Sequence, residues 1–511
     1  MAGAYPGHRD ATRTGQPVDR RRTDRAHWTR RADRARRSNP AGVIVDIPAT
    51  RGVPTSSVEQ STVRKISIRI VPFVALMFFI NFLDRTAISF AAPNGLESDL
   101  ALTAAQFGFA SGVFFIGYIV LEVPSNLALH KFGARIWLAR IMITWGIVSL
   151  LFVWVQNYEQ LLGLRFLLGV AEAGFFPGAI LFLSTWVPAR HRGKMLALFY
   201  LAQPLTTVIG SPLAGWLMGQ DGMLGLAGWR FMFLGVSIPA IVVGILCLFV
   251  LKDRPADARW LDDEEKAWLV DALARENRGK VGSDTATGGL RAALTSGRVW
   301  MLSFVYFGFI YGLYALSFFL PTIIDGFQEQ FGTTFGLFEK GLITAIPYVP
   351  AAIALYFWSR DAFRRGVKTW HIAVPALIGG ISIPLALLMT SPAATIAVIA
   401  VTAMAIFAAL PNFWTVPTQF LSGAAAAAGV ALINTMGNLA GFAAPYVTGA
   451  VHDWTDGYQI PMVIVGFFMV LSAVLMVIVA RGRRGAGTGT GATRTVGTRA
   501  AEAAIATEAG A

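Results

Sequence analysis

The sequence has 511 residues, of which 55% are hydrophobic and only 14% are charged. A soluble globular chain carries nearer a quarter of charged residues, so this composition excludes an arrangement of two or three soluble domains. The formal net charge of +13 raises the question of nucleic acid binding. However, the arginines concentrate in the N-terminal tail and in short loops between apolar runs, where the positive-inside rule places cytoplasmic charge. We therefore expect a polytopic helical membrane protein that contacts the lipid bilayer and no nucleic acid.

The apolar runs divide the chain into five segments. Residues 1–62 are rich in Arg, Thr, Pro and Asp without apolar periodicity, which predicts a disordered basic cytoplasmic tail. The segments that follow are a six-helix bundle over 63–252, a cytoplasmic linker over 253–297, a second six-helix bundle over 298–480 and a disordered cytoplasmic tail over 481–511. The twelve predicted spans, numbered as helices 1 to 12, cover about 66–92, 105–130, 134–155, 158–184, 195–219, 230–251, 298–324, 339–359, 369–389, 393–420, 426–450 and 459–480.

Basic residues mark one side of the predicted membrane. They follow helices 2, 4, 8 and 12, whereas the alternate loops carry acidic residues and almost no Lys or Arg. The basic set comprises His130, Lys131, Arg135, Arg190, Arg192, Lys194, Arg360, Arg364, Arg365, Lys368, Arg481, Arg483 and Arg484. Because cytoplasmic loops carry the excess of positive charge, both termini are predicted to be cytoplasmic, in a multi-pass protein of the cell (inner or plasma) membrane.

The two predicted bundles resemble each other. Ala197 and Leu198, followed by Pro212, have an echo in Ala431 and Leu432, at an offset of about 234 residues. The same shift carries the start of helix 1 onto the start of helix 7. Two parallel six-helix repeats place a substrate site at their interface, near the membrane midplane.

Four charged residues fall inside predicted spans of the first half. Asp84 and Arg85 lie in helix 1, and Arg165 and Glu172 lie in helix 4. A charge in mid-bilayer costs a few kcal/mol on insertion scales, so each needs a reason. The functional interpretation is that Arg85 and Arg165 bind a substrate carboxylate while Asp84 and Glu172 carry protons; Glu172 is the better proton carrier because its Ala and Gly neighbours desolvate it. The alternative is that the charges pair across helices 1 and 4 and hold the half together.

The remaining candidates are polar but uncharged, and all of them except Gln203 lie in the second half. Substrate contact is predicted for Gln203 in helix 5, Tyr311 and Tyr314 in helix 7, Asn412 in helix 10 and Asn434 in helix 11, with helix packing as the alternative. Asn438 shares the face of Asn434 one turn further on. Glu122 in helix 2 stands just before Pro124, near the cytoplasmic end, so we assign it a structural or gating role rather than substrate contact.

Motifs for enzymatic chemistry are missing from the sequence. It has no P-loop, no HExxH, no Gly-rich dinucleotide turn after a strand and no GxSxG. The single cysteine, Cys247, provides neither an internal disulfide nor a cysteine-cluster metal site. We therefore expect no enzyme, no cofactor and no metal site.

Four strings resemble the anion:cation symporter family of the major facilitator superfamily. They are NFLDRTAISFAAP (81–93), GYIVLEVPSNLALHKFGARIWLARIMITWGI (117–147), RFLLGVAEAGFFPGAILFLSTWVPARHRGKM (165–195) and ALINTMGNLAGFAAPYVTG (431–449). The likeness extends over roughly 66–480 with the right helix spacing. It implies an all-α major facilitator fold of twelve transmembrane helices in two six-helix pseudo-repeats.

The resemblance also implies proton-coupled uptake of organic anions such as tartrate, sugar acids or aromatic acids. Asp84, Arg85, Arg165 and Glu172 match the family's charged positions, and Gln203 matches its polar position in helix 5. The predicted function is therefore proton symport of a small organic carboxylate by alternating access, in a monomer whose partners are the anion, protons and lipid. A uniporter or exporter of a neutral or amphipathic compound, and a membrane sensor without transport, are the alternatives. The sequence does not identify the carboxylate.

Overall fold

The computed structural model describes residues 57–281, 294–417 and 423–481, and most of these residues are helical. The predicted disordered tails lie outside the described residues over 1–56 and 482–511. A helix, Ser57–Arg69, precedes the first span. This helix begins inside the segment 1–62 that the sequence predicts to be disordered, and it contacts the linker helix described below.

Twelve helices follow in two sets of six. The first half contains helix 1 Val71–Ala91, helix 2 Ala104–Phe132, helix 3 Ala134–Leu151, helix 4 in two pieces Tyr158–Glu172 and Phe175–Trp186, helix 5 Ala189–Met218 and helix 6 Gly228–Val250. The second half contains helix 7 Gly297–Asp325, helix 8 in two pieces Leu337–Ala345 and Tyr348–Arg365, helix 9 Trp370–Ala386, helix 10 Pro392–Phe413, helix 11 Gly423–Thr455 and helix 12 Gln459–Arg481.

Within the described residues, nine helices are long and apolar enough to cross a membrane. Helices 5, 9 and 11 complete the set of twelve. The all-α architecture predicted from the sequence is confirmed, and most span boundaries agree with the prediction within a few residues. Polar side chains at the helix starts explain several of these boundaries: Thr103 and Gln106 form a reciprocal capping box at helix 2, and Asn157 accepts from the backbone of Gln160 at helix 4.

Helix 4 is broken directly after Glu172. Gly174 has φ 84°, a left-handed conformation that glycine adopts without strain. The Ser125 hydroxyl donates to the carbonyl of Ala173 over 2.6 Å, which satisfies a backbone acceptor freed by the break. A Cβ at Gly174 would lie 2.5 Å from that hydroxyl, so glycine is also required by space. Pro177 lies in the first turn of the second piece, where a proline costs no hydrogen bond.

Glycines bring the two halves together. On the helix 2–helix 11 contact, a Cβ at Gly108 would lie 2.2 Å from the Pro445 carbonyl oxygen, and one at Gly449 would lie 2.0 Å from the Ala104 oxygen. On the helix 5–helix 8 contact, Gly215 meets the Leu337 carbonyl in the same way. These backbone-to-backbone contacts lie at the helix ends that the sequence assigns to the outside, where small residues permit close packing. The halves are therefore tightly joined on that side.

The linker contributes a helix, Asp263–Val281, that docks on the first half. Lys65 of the pre-membrane helix donates to Glu265 over 2.8 Å, and Arg192 at the start of helix 5 donates to Glu276 over 3.0 Å. Glu276 also accepts from the backbone N–H of Ala189, the first residue of helix 5. A carboxylate at a helix N-terminus is favourable, so the linker helix caps helix 5 and belongs to the first half.

Candidate functional site

Arg85 stands at the centre of the charged cluster. It is 9% exposed and forms an ion pair with Glu172, which is 0% exposed, at the break of helix 4. The other terminal nitrogen of Arg85 donates to the Tyr314 hydroxyl of helix 7 over 2.7 Å. The guanidinium carbon lies 4.8 Å from the centre of the Phe114 ring and 5.5 Å from that of Tyr118, within cation–π range. One guanidinium therefore links helices 1 and 4 to the opposite half of the molecule.

Arg165 and Asp84 form a second group of buried charges, separate from the Arg85–Glu172 pair. Both are 1% exposed. Arg165 donates to the backbone carbonyls of Ala110 and Ser111 in helix 2 over 3.2 and 3.1 Å, and Ser149 of helix 3 donates to the Asp84 carboxylate. The Arg165 guanidinium carbon lies 5.3 Å from the centre of the Phe114 ring. The two guanidinium groups thus contact the same aromatic ring.

Each of the two buried acids, Asp84 and Glu172, has one carboxyl oxygen that forms no hydrogen bond with the described residues. Glu172 Oε2 and Asp84 Oδ2 are buried and have no hydrogen-bond partner among the described residues. A buried carboxylate oxygen without a partner is costly, because burial removes its hydration without replacing it. Both positions are suited to accept a proton.

A cavity opens beside Arg85 between the two halves. It encloses about 680 Å³, including the part that is open to solvent. Its polar lining includes Arg85, Gln203, Asn434 and Asn438. Aromatic rings supply half of its lining residues: Phe78, Phe82, Tyr118, Phe176, Tyr200, Tyr306, Tyr314 and Trp414. The position between two repeats agrees with the predicted place of a substrate site.

The predicted site residues divide into two groups by their position. Arg85, Gln203, Tyr314 and Asn434 line the cavity. The other predicted residues, Asp84, Arg165, Glu172, Tyr311 and Asn412, are not among its lining residues. Tyr311 packs against the Phe468 ring with centroids 4.7 Å apart, and the Asn412 amide donates to the Ala408 carbonyl of its own helix. Glu172 reaches the cavity only through Arg85.

Glu122 connects the halves near the cavity. The side-chain amide of Asn434 donates to Glu122 Oε1 over 2.5 Å, and that of Asn438 donates to Oε2 over 3.1 Å. Glu122 follows the cavity residue Tyr118 by one helical turn, so it lies on the same face of helix 2. The spacing of Asn434 and Asn438 was the signal in the sequence, but nothing there identified Glu122 as their partner.

Of the eight aromatic residues that line the cavity, the sequence predicted only Tyr314 to contact substrate. Phe78 and Phe82 recur at helical spacing in helix 1, as do aromatic residues throughout the apolar spans. Such a pattern is equally typical of packing against a neighbouring helix. Only the assembled structure separates the rings that face the cavity from those that do not.

A helical membrane protein of twelve spans, with a charged cavity between two six-helix halves, has the architecture of a secondary transporter. The family model described as "Major Facilitator Superfamily" matches residues 74–445. The chain belongs to this superfamily, and it is a multi-pass membrane transporter, as the sequence predicted.

Two relatives and one solved structure show the extent of the similarity. The "Putative tartrate transporter" of Agrobacterium vitis is 46% identical over 430 residues, which cover 84% of this chain and 94% of the relative. The "Quinolone resistance transporter" of Acinetobacter baumannii is 35% identical over 421 residues, covering 82% of this chain and 95% of the relative. A bacterial homolog of the human lysosomal transporter Spinster, inward-facing and unoccupied, shares the fold with a TM-score of 0.63 at 19% identity, over 81% of this chain and 97% of that one.

Proposed function

We propose that this transporter carries a small organic carboxylate together with protons, in the direction of uptake, by alternating access of the cavity. The observation that carries the proposal is the Arg85–Glu172 pair. Arg85 lines the cavity, but its charge is already compensated by Glu172. A substrate carboxylate that binds Arg85 must therefore compete with the Glu172 carboxylate for the same guanidinium.

Competition for Arg85 supplies a physical basis for coupling. A proton that binds the unpartnered Oε2 of Glu172 removes its negative charge and weakens the ion pair. Arg85 is then left as an uncompensated buried cation, which a substrate carboxylate neutralises through charge-assisted hydrogen bonds. When the proton leaves, Glu172 competes for Arg85 again and displaces the substrate. Proton and anion therefore favour each other's binding.

Tyr314 connects this exchange to the movement of the halves. It belongs to helix 7, so the bond from Arg85 to its hydroxyl crosses the interface between the two bundles. A change of partner at Arg85 therefore acts on a contact between the halves, as alternating access requires. Asp84 is the second proposed proton site. For Arg165, Tyr311 and Asn412, substrate contact remains a prediction.

The relatives support a carboxylate without fixing the direction of transport. Tartrate, in the name of the A. vitis relative, is an organic dianion at neutral pH. The name of the A. baumannii relative refers to drug resistance, which favours export of an amphipathic compound as the second candidate function. The direction of proton-driven transport distinguishes the two candidate functions. Uptake driven by an inward proton gradient indicates symport, and proton-driven efflux indicates export.

The proposal is tested with Glu172→Gln in proteoliposomes, using the acid that gives the largest thermal stabilisation of the purified protein. Gln mimics the protonated acid, so the variant should exchange substrate in counterflow but fail to accumulate it under an imposed proton gradient. Each 100 mV of potential contributes about 2.3 kcal/mol per charge, and the variant would no longer use it. The same change at Glu159, an exposed acid in the first turn of helix 4, is the matched control and should leave both activities intact. Full accumulation by Glu172→Gln would assign the proton-binding role to Asp84 instead. Full accumulation by Asp84→Asn as well would contradict the symport proposal.

A further inference from the structure

The cavity has a strongly uneven distribution of charge. Arg85 is the only charged residue among those described that line it. Arg165, the other buried guanidinium of this half, uses its nitrogens on the Ala110 and Ser111 carbonyls and lies against the Phe114 ring. One carboxylate can therefore be neutralised in the cavity, whereas a second carboxylate of the same molecule would meet no second cation.

The neutral donors of the cavity, the amides of Gln203, Asn434 and Asn438, do not replace the missing cation because none of them carries a charge. The Asn434 and Asn438 amides each donate one N–H to an oxygen of Glu122. No Lys, Arg or His of the described chain forms an ion pair with Glu122. A second substrate carboxylate near these two amides would compete with Glu122 for their N–H groups and would also be repelled by its charge.

Aromatic side chains from both halves form much of the cavity wall. Tyr118, Phe176 and Tyr200 come from the first half, and Tyr306, Tyr314 and Trp414 come from the second. A flat aromatic body gains contact with rings on both sides, with about 0.5–1.5 kcal/mol per well-placed ring pair beyond burial. A body covered with hydroxyl groups would have to place several of them against ring faces, where they lose hydrogen bonds to water.

We infer that the cargo is an aromatic monocarboxylate and that Glu122 is the residue that excludes a second negative charge. The inference rests on the proposed binding of a carboxylate by Arg85. It selects one class among the carboxylates that the sequence left open, and it separates this chain from a carrier of tartrate. Glu122, which the sequence analysis assigned a structural or gating role, becomes a determinant of specificity.

The test compares five acids at pH 7.5 by binding to the purified full-length protein. Benzoate and 2-naphthoate are the aromatic monoanions, cyclohexanecarboxylate has the same charge without an aromatic ring, and terephthalate and tartrate carry two charges. We expect benzoate or 2-naphthoate to bind at least tenfold more tightly than each of the other three. This comparison needs no variant, so it does not depend on whether a substitution is tolerated.

Glu122→Gln then tests the role of the residue. Gln removes the charge of Glu122 and keeps its size. In the variant, the ratio of benzoate affinity to terephthalate affinity should therefore fall at least tenfold, while the affinity for benzoate changes less than threefold. Glu159→Gln, a loss of charge outside the cavity, should leave the ratio unchanged. An unchanged ratio in Glu122→Gln would overturn its role in specificity.

The outcomes also separate this inference from the proposed function. Binding of tartrate or terephthalate as tight as that of benzoate would overturn the inference, and proton-driven uptake of that dianion would leave the symport proposal standing. If neither aromatic monoanion binds, the inference is overturned as well. Binding of benzoate that is unaffected by Arg85→Ala would contradict both, because both require Arg85 as the partner of the carboxylate.

Discussion

The two buried arginines of the first half, Arg85 and Arg165, have different surroundings. Arg85 faces the cavity and exchanges partners in the proposed mechanism, whereas Arg165 is fixed on backbone carbonyls of helix 2. Seven residues are close to two helical turns, so Arg165 and Glu172 lie on nearly the same face of helix 4. Pairing of charges across helices 1 and 4 was one of two interpretations of the sequence, but the sequence did not single out Glu172 as the partner of Arg85, because that choice depends on how the two helices pack.

We expect the alanine variants of these arginines to fail in different ways. Arg85→Ala should lose carboxylate binding and remain folded in detergent, since its partner Glu172 can be neutralised by a proton. Arg165→Ala removes a buried side chain together with its hydrogen bonds to the Ala110 and Ser111 carbonyls, and it should destabilise the protein by about 2–5 kcal/mol. Lys at position 85 should also impair binding, because the planar fork that contacts two partners is lost. Thermal unfolding and ligand binding measured on the same samples separate the effects. Loss of binding by Arg165→Ala at an unchanged unfolding temperature would instead place Arg165 in the binding site.

Helix 4 is the element in which sequence and structure differ most. Hydropathy and length predicted one continuous span over 158–184, and the structure divides it at Ala173 and Gly174. A bilayer requires about twenty apolar residues, so length and composition are sufficient to locate spans. A left-handed glycine leaves both properties unchanged and escapes such a search. The same limit explains why the cavity aromatics were not distinguished from packing residues.

Gly174→Ala tests whether the break is needed. Ala in a left-handed conformation costs about 1–3 kcal/mol, and its Cβ would also meet the Ser125 hydroxyl. We expect a lower unfolding temperature and weaker transport, since Glu172 ends the first piece of the helix. Adding Ser125→Ala should recover part of the stability by removing the hydroxyl from the space that the new methyl group needs. A Gly174→Ala protein with ordinary stability and transport would show that helix 4 functions without this conformation.

At the scale of the whole molecule, the architecture follows from the sequence more completely than the site does. The apolar spans, the two repeats and the polar linker are each encoded by long apolar runs and by the distribution of charge, which are properties averaged over many residues. The contacts of Arg85, Glu122 and Glu172, in contrast, are single side-chain pairs between helices that are far apart in the chain. They became visible only when the helices were assembled.

The orientation in the membrane remains a prediction from loop charge, and it can be measured directly. A cysteine at Ser98 should react with an impermeant maleimide added outside cells, and a cysteine at Arg364 should react only after the membrane is opened. Both positions are exposed in the structure, and Ser98 is preferable to Asp99 because Asp99 accepts a hydrogen bond from Trp229. The single native cysteine, Cys247, is buried, so it adds little background. The opposite labelling pattern would reverse the assignment of inside and outside.

The linker helix docks on the first half, so it belongs to that half when the two halves move relative to each other. Because Glu265 and Glu276 fasten that helix to Lys65 before helix 1 and to Ala189 and Arg192 at the start of helix 5, the linker helix moves as part of the first bundle. The angle between the two bundles is governed by the glycine contacts of helices 2, 5, 8 and 11, which are the surfaces on which the bundles turn against each other.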